Sequence, residues 1–165
     1  MTEYTTRMAA VADIPTLVCH RIGMFAEMGY SDQAQLEEMG RRFAIWVRHK
    51  MESGLYFTWL ALDPDDHIVA GAGVWLMEWV PHVLGQSEQR PYVLNVFTEP
   101  EHRRRGLARR LMEEILGWCR DHNYELVSLH ASDHGRHLYN QLGFTATNEM
   151  RLRLIGEQHH GDPHH

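Results

Sequence analysis

The run Arg103-Arg104-Arg105-Gly106-Leu107-Ala108 sets a block of cations against a glycine and the first residues of a helical pattern. The chain enters it from the apolar stretch Tyr92 to Thr98. It leaves along Leu107, Leu111, Ile115 and Cys119, spaced for one face of a helix. Glycine lets the backbone turn tightly and approach a ligand closely. The opening amides of a helix have no acceptor within the helix, and the positive end of the helix dipole lies there. Such a strand, turn and helix start make an anion cradle that suits a diphosphate. The backbone amides of Arg104 to Arg109 would carry the contact, with the side chains of Arg103, Arg104 and Arg105 tuning affinity and salt sensitivity. The competing reading, a solvated basic patch or an RNA contact, lacks a basic face with interleaved aromatics.

Other chemistries find less support. His130, His134 and His137 lack a carboxylate-histidine motif, so no metal site is expected. Gly71-Ala72-Gly73 falls inside a strand pattern and not at a strand-to-helix turn, which excludes a dinucleotide fingerprint. The cysteines, Cys19 and Cys119, are far apart and show no metal or redox spacing, which argues for a reducing, cytoplasmic setting. A formal net charge of −6 over 165 residues argues against a general nucleic-acid partner. No apolar run approaches the ~20 residues needed to cross a membrane.

These residues need a scaffold. At 44% hydrophobic and 23% charged residues the composition is that of a globular domain. Tyr4 to Met8 reads as a strand. Asp13 reads as an N-cap, followed by a helix through Ile14, Leu17, Val18, Arg21, Ile22 and Phe25. A second helix runs from Ser31-Asp32 to Ser53-Gly54. Leu55 to Leu62 and His67 to Trp79 form a hairpin around Asp63-Pro64-Asp65-Asp66. Val80 to Arg90 is a loop and Tyr92 to Thr98 a strand. After the helix from Leu107 to about Asn123, Leu126 to Ala131 is a strand in parallel with its predecessor. A short helix from His134 to Leu142 stops at Gly143, and Phe144 to Thr147 with Glu149 to Ile155 form a closing hairpin. The expected architecture is α+β with a mixed sheet, as one domain over 1–155. Residues 156–165 read as a disordered, histidine-bearing tail.

The pattern Arg-x-x-Gly-x-Ala resembles the acetyl-CoA-binding signature of the GNAT superfamily of N-acetyltransferases, Arg/Gln-x-x-Gly-x-Gly/Ala. A second match lies at Leu138-Tyr139-Asn140-Gln141-Leu142-Gly143-Phe144, and the order of elements fits over residues 4–155. The resemblance implies a GNAT-like fold: a mostly antiparallel sheet with one splayed parallel strand pair, flanked by about four helices. It also implies acetyl-CoA as co-substrate. The pantetheine arm would enter between the splayed strands and bond to Asn95-Val96-Phe97-Thr98 as an added strand would, with the Val96 and Thr98 amides as donors. Cofactor-binding residues are then Val96, Phe97, Thr98, Arg103, Arg104, Arg105, Gly106, Leu107, Ala108, Arg109, Ser132 and Tyr139. Ser132 stands where the family often has asparagine, and it equally suits an N-cap. Gly135 replaces the family's alanine.

Tyr139 matches the family's tyrosine, a phenol able to protonate the departing thiolate. Its alternative is a packing role beneath the cofactor. Glu78 is the candidate general base if its run is the family's third strand, with an exposed edge carboxylate as the alternative, and His82 a weaker candidate. Acceptor contacts would come from Arg21, Phe25, Met28, Tyr30, Trp75, Trp79 and Asn95. This set suits an apolar or aromatic amine better than a polycation. The expected function is acetyl transfer from acetyl-CoA to a primary amine by direct attack. The acceptor is left open among a small amine, an amino acid, an antibiotic and a protein amino terminus, and a homodimer is anticipated. The alternative is an acyl-CoA-binding sensor or structural module without turnover.

Overall fold

The structure, a computed structural model, describes residues 3–155. The histidine-bearing tail expected from Gly156 lies outside the described residues. Alternating apolar residues build the central hairpin: Tyr56–Leu62 (β2) pairs antiparallel with Ile68–Glu78 (β3), from Tyr56 opposite Trp75 to Leu62 opposite Ile68. The Asp63 carboxylate shapes the turn between them by accepting from the Asp65 and His67 amides, both at 2.9 Å. Thr5–Met8 (β1) adds to β2 and Gln89–Thr98 (β4) to β3, both antiparallel. Ser128–Leu129 (β5) runs parallel to β4, with Ser128 opposite Tyr92. The sheet order is β1-β2-β3-β4-β5. With the helices Ile14–Glu27 (α1), Gln33–Glu52 (α2), Leu107–Asp121 (α3) and Asp133–Gln141 (α4), this is the mixed α+β sheet expected. No helix among the described residues is long and apolar enough to cross a membrane.

The pleat divides the core in two. Tyr56, Leu60 and Leu62 pack with Ile14 and Leu17 of α1 and Phe43 and Val47 of α2. On the other face the rings of Phe57 and Trp59 meet Trp118 of α3 at 5.1 and 5.7 Å. Helix α3 buries Leu107, Leu111, Met112, Ile115 and Cys119 along one stripe. Each buried aliphatic side chain contributes about 1.5–3 kcal/mol by leaving water. That stripe fixes where the start of α3 points.

Several boundaries differ from the sequence reading. Asp13 stands at the N-cap position of α1 but does not cap it with its side chain. Its carboxylate turns back to the Ala10 amide at 2.7 Å and to Arg7 at 2.8 and 2.9 Å, and this ion pair holds the carboxyl below its usual range. Strand β4 begins at Gln89, inside the expected loop. Pro91 is tolerated there because the ladder to β5 starts only at Tyr92, so an N–H is not missed at that position. Strand β5 is confined to Ser128–Leu129, shorter than the expected Leu126 to Ala131.

The closing hairpin is the main correction. Residues 144–155 form no strand among the described residues, and Met150, Leu152, Leu154 and Ile155 are exposed. Alternation specifies which side chains would share a face, but a strand needs a partner for its backbone groups, and no ladder forms there. Contacts group the described chain into two compact units, up to Leu129 and from His130 onward. The first holds the sheet and α1 to α3, the second α4 and the segment after it.

Candidate active site

The cradle is built from backbone. After a short turn at Pro100–His102, Arg104 takes φ +59° and Gly106 φ +75°, and α3 starts at Leu107. Its N-cap residue, Gly106, has no side chain with which to cap it. Its first ladder bond is Arg110 N–H to Gly106 C=O at 3.0 Å, so the Leu107, Ala108 and Arg109 amides precede the ladder. Two left-handed residues just before a helix start are the kind of backbone from which anion-binding nests are built. A Cβ at Gly106 would meet no protein atom within 4 Å, so the glycine faces open space. Arg103 does structural work: Nε donates to Thr98 C=O at 2.9 Å, Nη2 bonds the Glu27 carboxylate, and its guanidinium lies 5.7 Å from the Phe97 ring. Arg105 donates to Glu101 C=O at 3.3 Å, and Arg109 lies 4.0 Å from Glu113.

Strand β4 supplies an open edge. Its ladder to β5 covers Tyr92 and Val93 only, leaving the outer side of residues 94–98 outside that ladder. The register to β3 slips between Gly71 and Gly73, and Asn95 takes φ +57°, so a bulge lies at Asn95-Val96. The Glu99 amide bonds Val69 C=O of β3 at 2.8 Å. Alternation then turns the Thr98 and Val96 amides to the side away from β3. Phe97 points the other way: it is 8% exposed, 5.0 Å from the His20 ring, and 3.1 Å from where a Cβ on Gly23 would lie. Burial pushes His20 down to about 4, so it sits neutral beneath the strand.

The bulge aims the Asn95 side chain into a polar network against α1 and α2. Arg21 Nη1 donates to Asn95 Oδ1 at 2.6 Å, and Asn95 Nδ2 donates to the Tyr56 hydroxyl at 2.8 Å. The Arg21 guanidinium lies 4.9 Å from the Phe25 ring and 5.1 Å from Phe43. Trp75 stands opposite Tyr56, with Trp46 edge-on to both at 5.2 and 5.6 Å. Tyr30 is edge-on to Phe25 at 5.4 Å, and Met28 is half-buried at the end of α1. The structure therefore brings Arg21, Phe25, Trp75 and Asn95 into one neighbourhood.

Trp79 stacks instead under Arg90, 4.3 Å away. Glu78 is exposed at the end of β3, opposite Gln89, and alternation puts it on the face of Val74 and Leu76, opposite to that of Trp75. His82 Nδ1 accepts from the Leu84 amide at 3.1 Å within its own loop.

In the second unit, Ser132 caps α4, its Oγ accepting from the Gly135 amide at 3.2 Å. Tyr139 is buried, and burial raises its phenol to about 12. A Cβ on Gly135 would lie 2.6 Å from the Tyr139 ring, which leans over the preceding turn, so an alanine there would require the ring to shift.

Tyr56, Gly73, Glu27 and His20 are the residues that sequence reasoning passes over. Tyr56 and His20 look like core positions in an apolar pattern, and Glu27 like a solvated helix carboxylate. A Cβ on Gly73 would lie 2.2 Å from the Tyr56 hydroxyl, a proximity invisible without the strand register.

A sequence model described as the acetyltransferase (GNAT) family matches residues 23–144. Among solved structures, a GCN5-related N-acetyltransferase from Ralstonia eutropha JMP134 is 30% identical with a TM-score of 0.86, over 93% of this chain and 100% of that one. A predicted acetyltransferase with acetyl-CoA from Clostridium acetobutylicum is 26% identical with a TM-score of 0.82, over 95% and 100% of the two chains. Glucosamine-6-phosphate N-acetyltransferase from Arabidopsis thaliana, 14% identical with a TM-score of 0.66 over 93% and 99%, shares the fold. No curated protein sequence matches the chain.

Proposed function

Because the chain belongs to the GNAT acetyltransferase family, whose activity is acyl transfer from acetyl-CoA, we propose that it acetylates a primary amine by direct attack on the thioester. The observation that carries this reading is the open edge of β4 leading through Thr98 into the uncapped start of α3. Acetyl-CoA supplies the activated acyl group and the diphosphate that such a cradle suits. The amides of residues 104–109 hold the diphosphate. The Val96 and Thr98 amides bond the pantetheine amides, and an amide of this edge stabilises the thioester oxygen as charge gathers there.

The acceptor nitrogen bonds to the acetyl carbon as the carbon–sulfur bond breaks; the amine loses a proton and the sulfur gains one. Tyr139 is the proposed proton donor to sulfur, on the strength of its motif and its protonated, buried phenol. The amine passes its proton to water, with the exposed Glu78 carboxylate as the proposed final sink. Cys119 does not offer a covalent route: burial lifts its thiol to about 11, which keeps it protonated and unreactive at neutral pH.

Titration with coenzyme A followed by a thiol-release assay over an amine panel tests the proposal. Acetyl-CoA should raise the melting temperature, and an acceptor amine should stimulate thiol release. Tight binding with no amine-stimulated release would instead make this a binding module.

A further inference from the structure

We propose that Arg21 receives an anionic oxygen group, a carboxylate or phosphate, on the acceptor, which makes the substrate a compact amino-acid-like zwitterion and not a neutral amine or a polycation. The inference rests on the acetyl-transfer reading and specifies the substrate class for that site. Arg21 is a half-buried cation with no carboxylate partner among the described residues. Its hydrogen-bond partner is the neutral Asn95 amide at 2.6 Å, and its Nε is buried without a partner. Tyr56 beyond Asn95 is no counter-anion, since burial raises its phenol above the usual value. Burial works against the Arg21 charge as well. A charge out of water without a pair is costly.

The local geometry says what is missing. The rings of Phe25 and Phe43 hold the guanidinium at 4.9 and 5.1 Å, so Arg21 is oriented before a ligand arrives. Asn95 fixes one Nη1 donor and leaves the Nη2 edge for a planar oxyanion, the partner a guanidinium binds best. A second cation stands against the same aromatic cluster, with Lys50 Nζ 6.0 Å from the Trp46 ring and 5.9 Å from Trp75. Asn95 is also the bulge residue next to Val96, whose amide is assigned above to the pantetheine arm. Through Asn95, Arg21 stands beside the strand edge to which the proposal assigns the coenzyme, so an acceptor held there carries its anion and its amine on one compact skeleton. The aromatic walls favour an apolar or aromatic remainder.

The test compares amino acids with their primary amides and decarboxylated amines, and 2-aminoethylphosphonate with ethanolamine, in thiol release by the wild type, Arg21→Gln and Arg21→Lys. The anionic member of each productive pair should be favoured by roughly 100-fold in kcat/KM, the size of effect expected for a desolvated charge pair. Arg21→Gln should erase most of that preference through KM while coenzyme A affinity stays unchanged, and Arg21→Lys should restore part of it. The carboxylate and phosphonate arms separate the two oxyanion sources. Equal use of neutral members, or a preference that survives in Arg21→Gln, overturns the proposal.

If no amine releases thiol, the acetyl-transfer reading fails and the anion site is judged by binding. In wild-type protein with coenzyme A, phenylalanine or 2-aminoethylphosphonate should shift the Arg21 Nε–H resonance, while phenylalaninamide and ethanolamine should not. No shift with either anion overturns it, and this measurement stands even if the Gln variant does not fold.

Discussion

Arg104 is held at φ +59°, where an L-residue is strained by about 1–2 kcal/mol. Arg104→Gly should raise stability by about 1 kcal/mol in denaturant melts while weakening coenzyme A binding a few-fold, because the charge is lost and the amide geometry is kept. A cradle that works through side chains would instead lose binding outright. Tyr139 separates packing from chemistry in the same way. Tyr139→Phe keeps the ring over Gly135, so the melting temperature should hardly move. Turnover should fall by about 100-fold, the ordinary size of a general-acid contribution, and a turnover left near wild type would reduce the tyrosine to shape. Since burial puts the phenol at about 12, it keeps its proton across the working range. Any loss of activity below about pH 10 must then come from another group, and Tyr139→Phe should lower the pH–rate profile without changing its shape.

At the level of elements, the bulge in β4 connects fold and site, because it sends Asn95 toward Tyr56 and Arg21 while Val96 and Thr98 keep their amides on the open side. Gly73→Ala should break this arrangement: the new methyl would lie 2.2 Å from the Tyr56 hydroxyl and 3.3 Å from Leu94 C=O. A loss of about 2–3 kcal/mol is expected from such overpacking, with the acceptor KM rising as Asn95 loses its partner. Thermal melts and steady-state kinetics read both effects.

The bulge also marks how far the sequence is legible. Strand β4, the turn at Gly106 and α3 are each written in local signals: an apolar run, a glycine, a stripe at helical spacing. Leu94-Asn95-Val96 reads as plain alternation, because a bulge depends on where β3 slips its register. Residues 144–155 fail for the same reason, since their alternation describes faces while the missing ladder is a property of the partner. Arg103 shows a third limit: its type suggests an anion contact, and only the fold reveals Glu27 and Thr98 beside it.

For the molecule as a whole, the buried His20 ties stability to pH. The ring is 2% exposed, with the Glu99 carboxylate 3.5 Å from Nε2, the Phe97 ring tilted against it at 5.0 Å and the Gly71 backbone close by. The glutamate would favour a charged ring, yet it reaches solvent, and burial prevails: His20 falls from 6.5 to about 4. Its native pKa lies below the unfolded one, so the unfolded chain binds the extra proton between those values. The contribution to stability is fully present above pH 6.5 and is lost as pH falls toward 4, by roughly 3 kcal/mol in all. Asp13, held low by Arg7, and Asp63, held low by backbone amides, lose their contributions as pH falls from about 5 downward, so the upper part of the window isolates the histidine. Denaturant unfolding across that window should show stability falling with pH in the wild type, and a flatter profile in His20→Leu even if that variant is less stable at pH 7. Parallel profiles would mean that His20 takes up its proton inside the folded protein, with Glu99 as its partner.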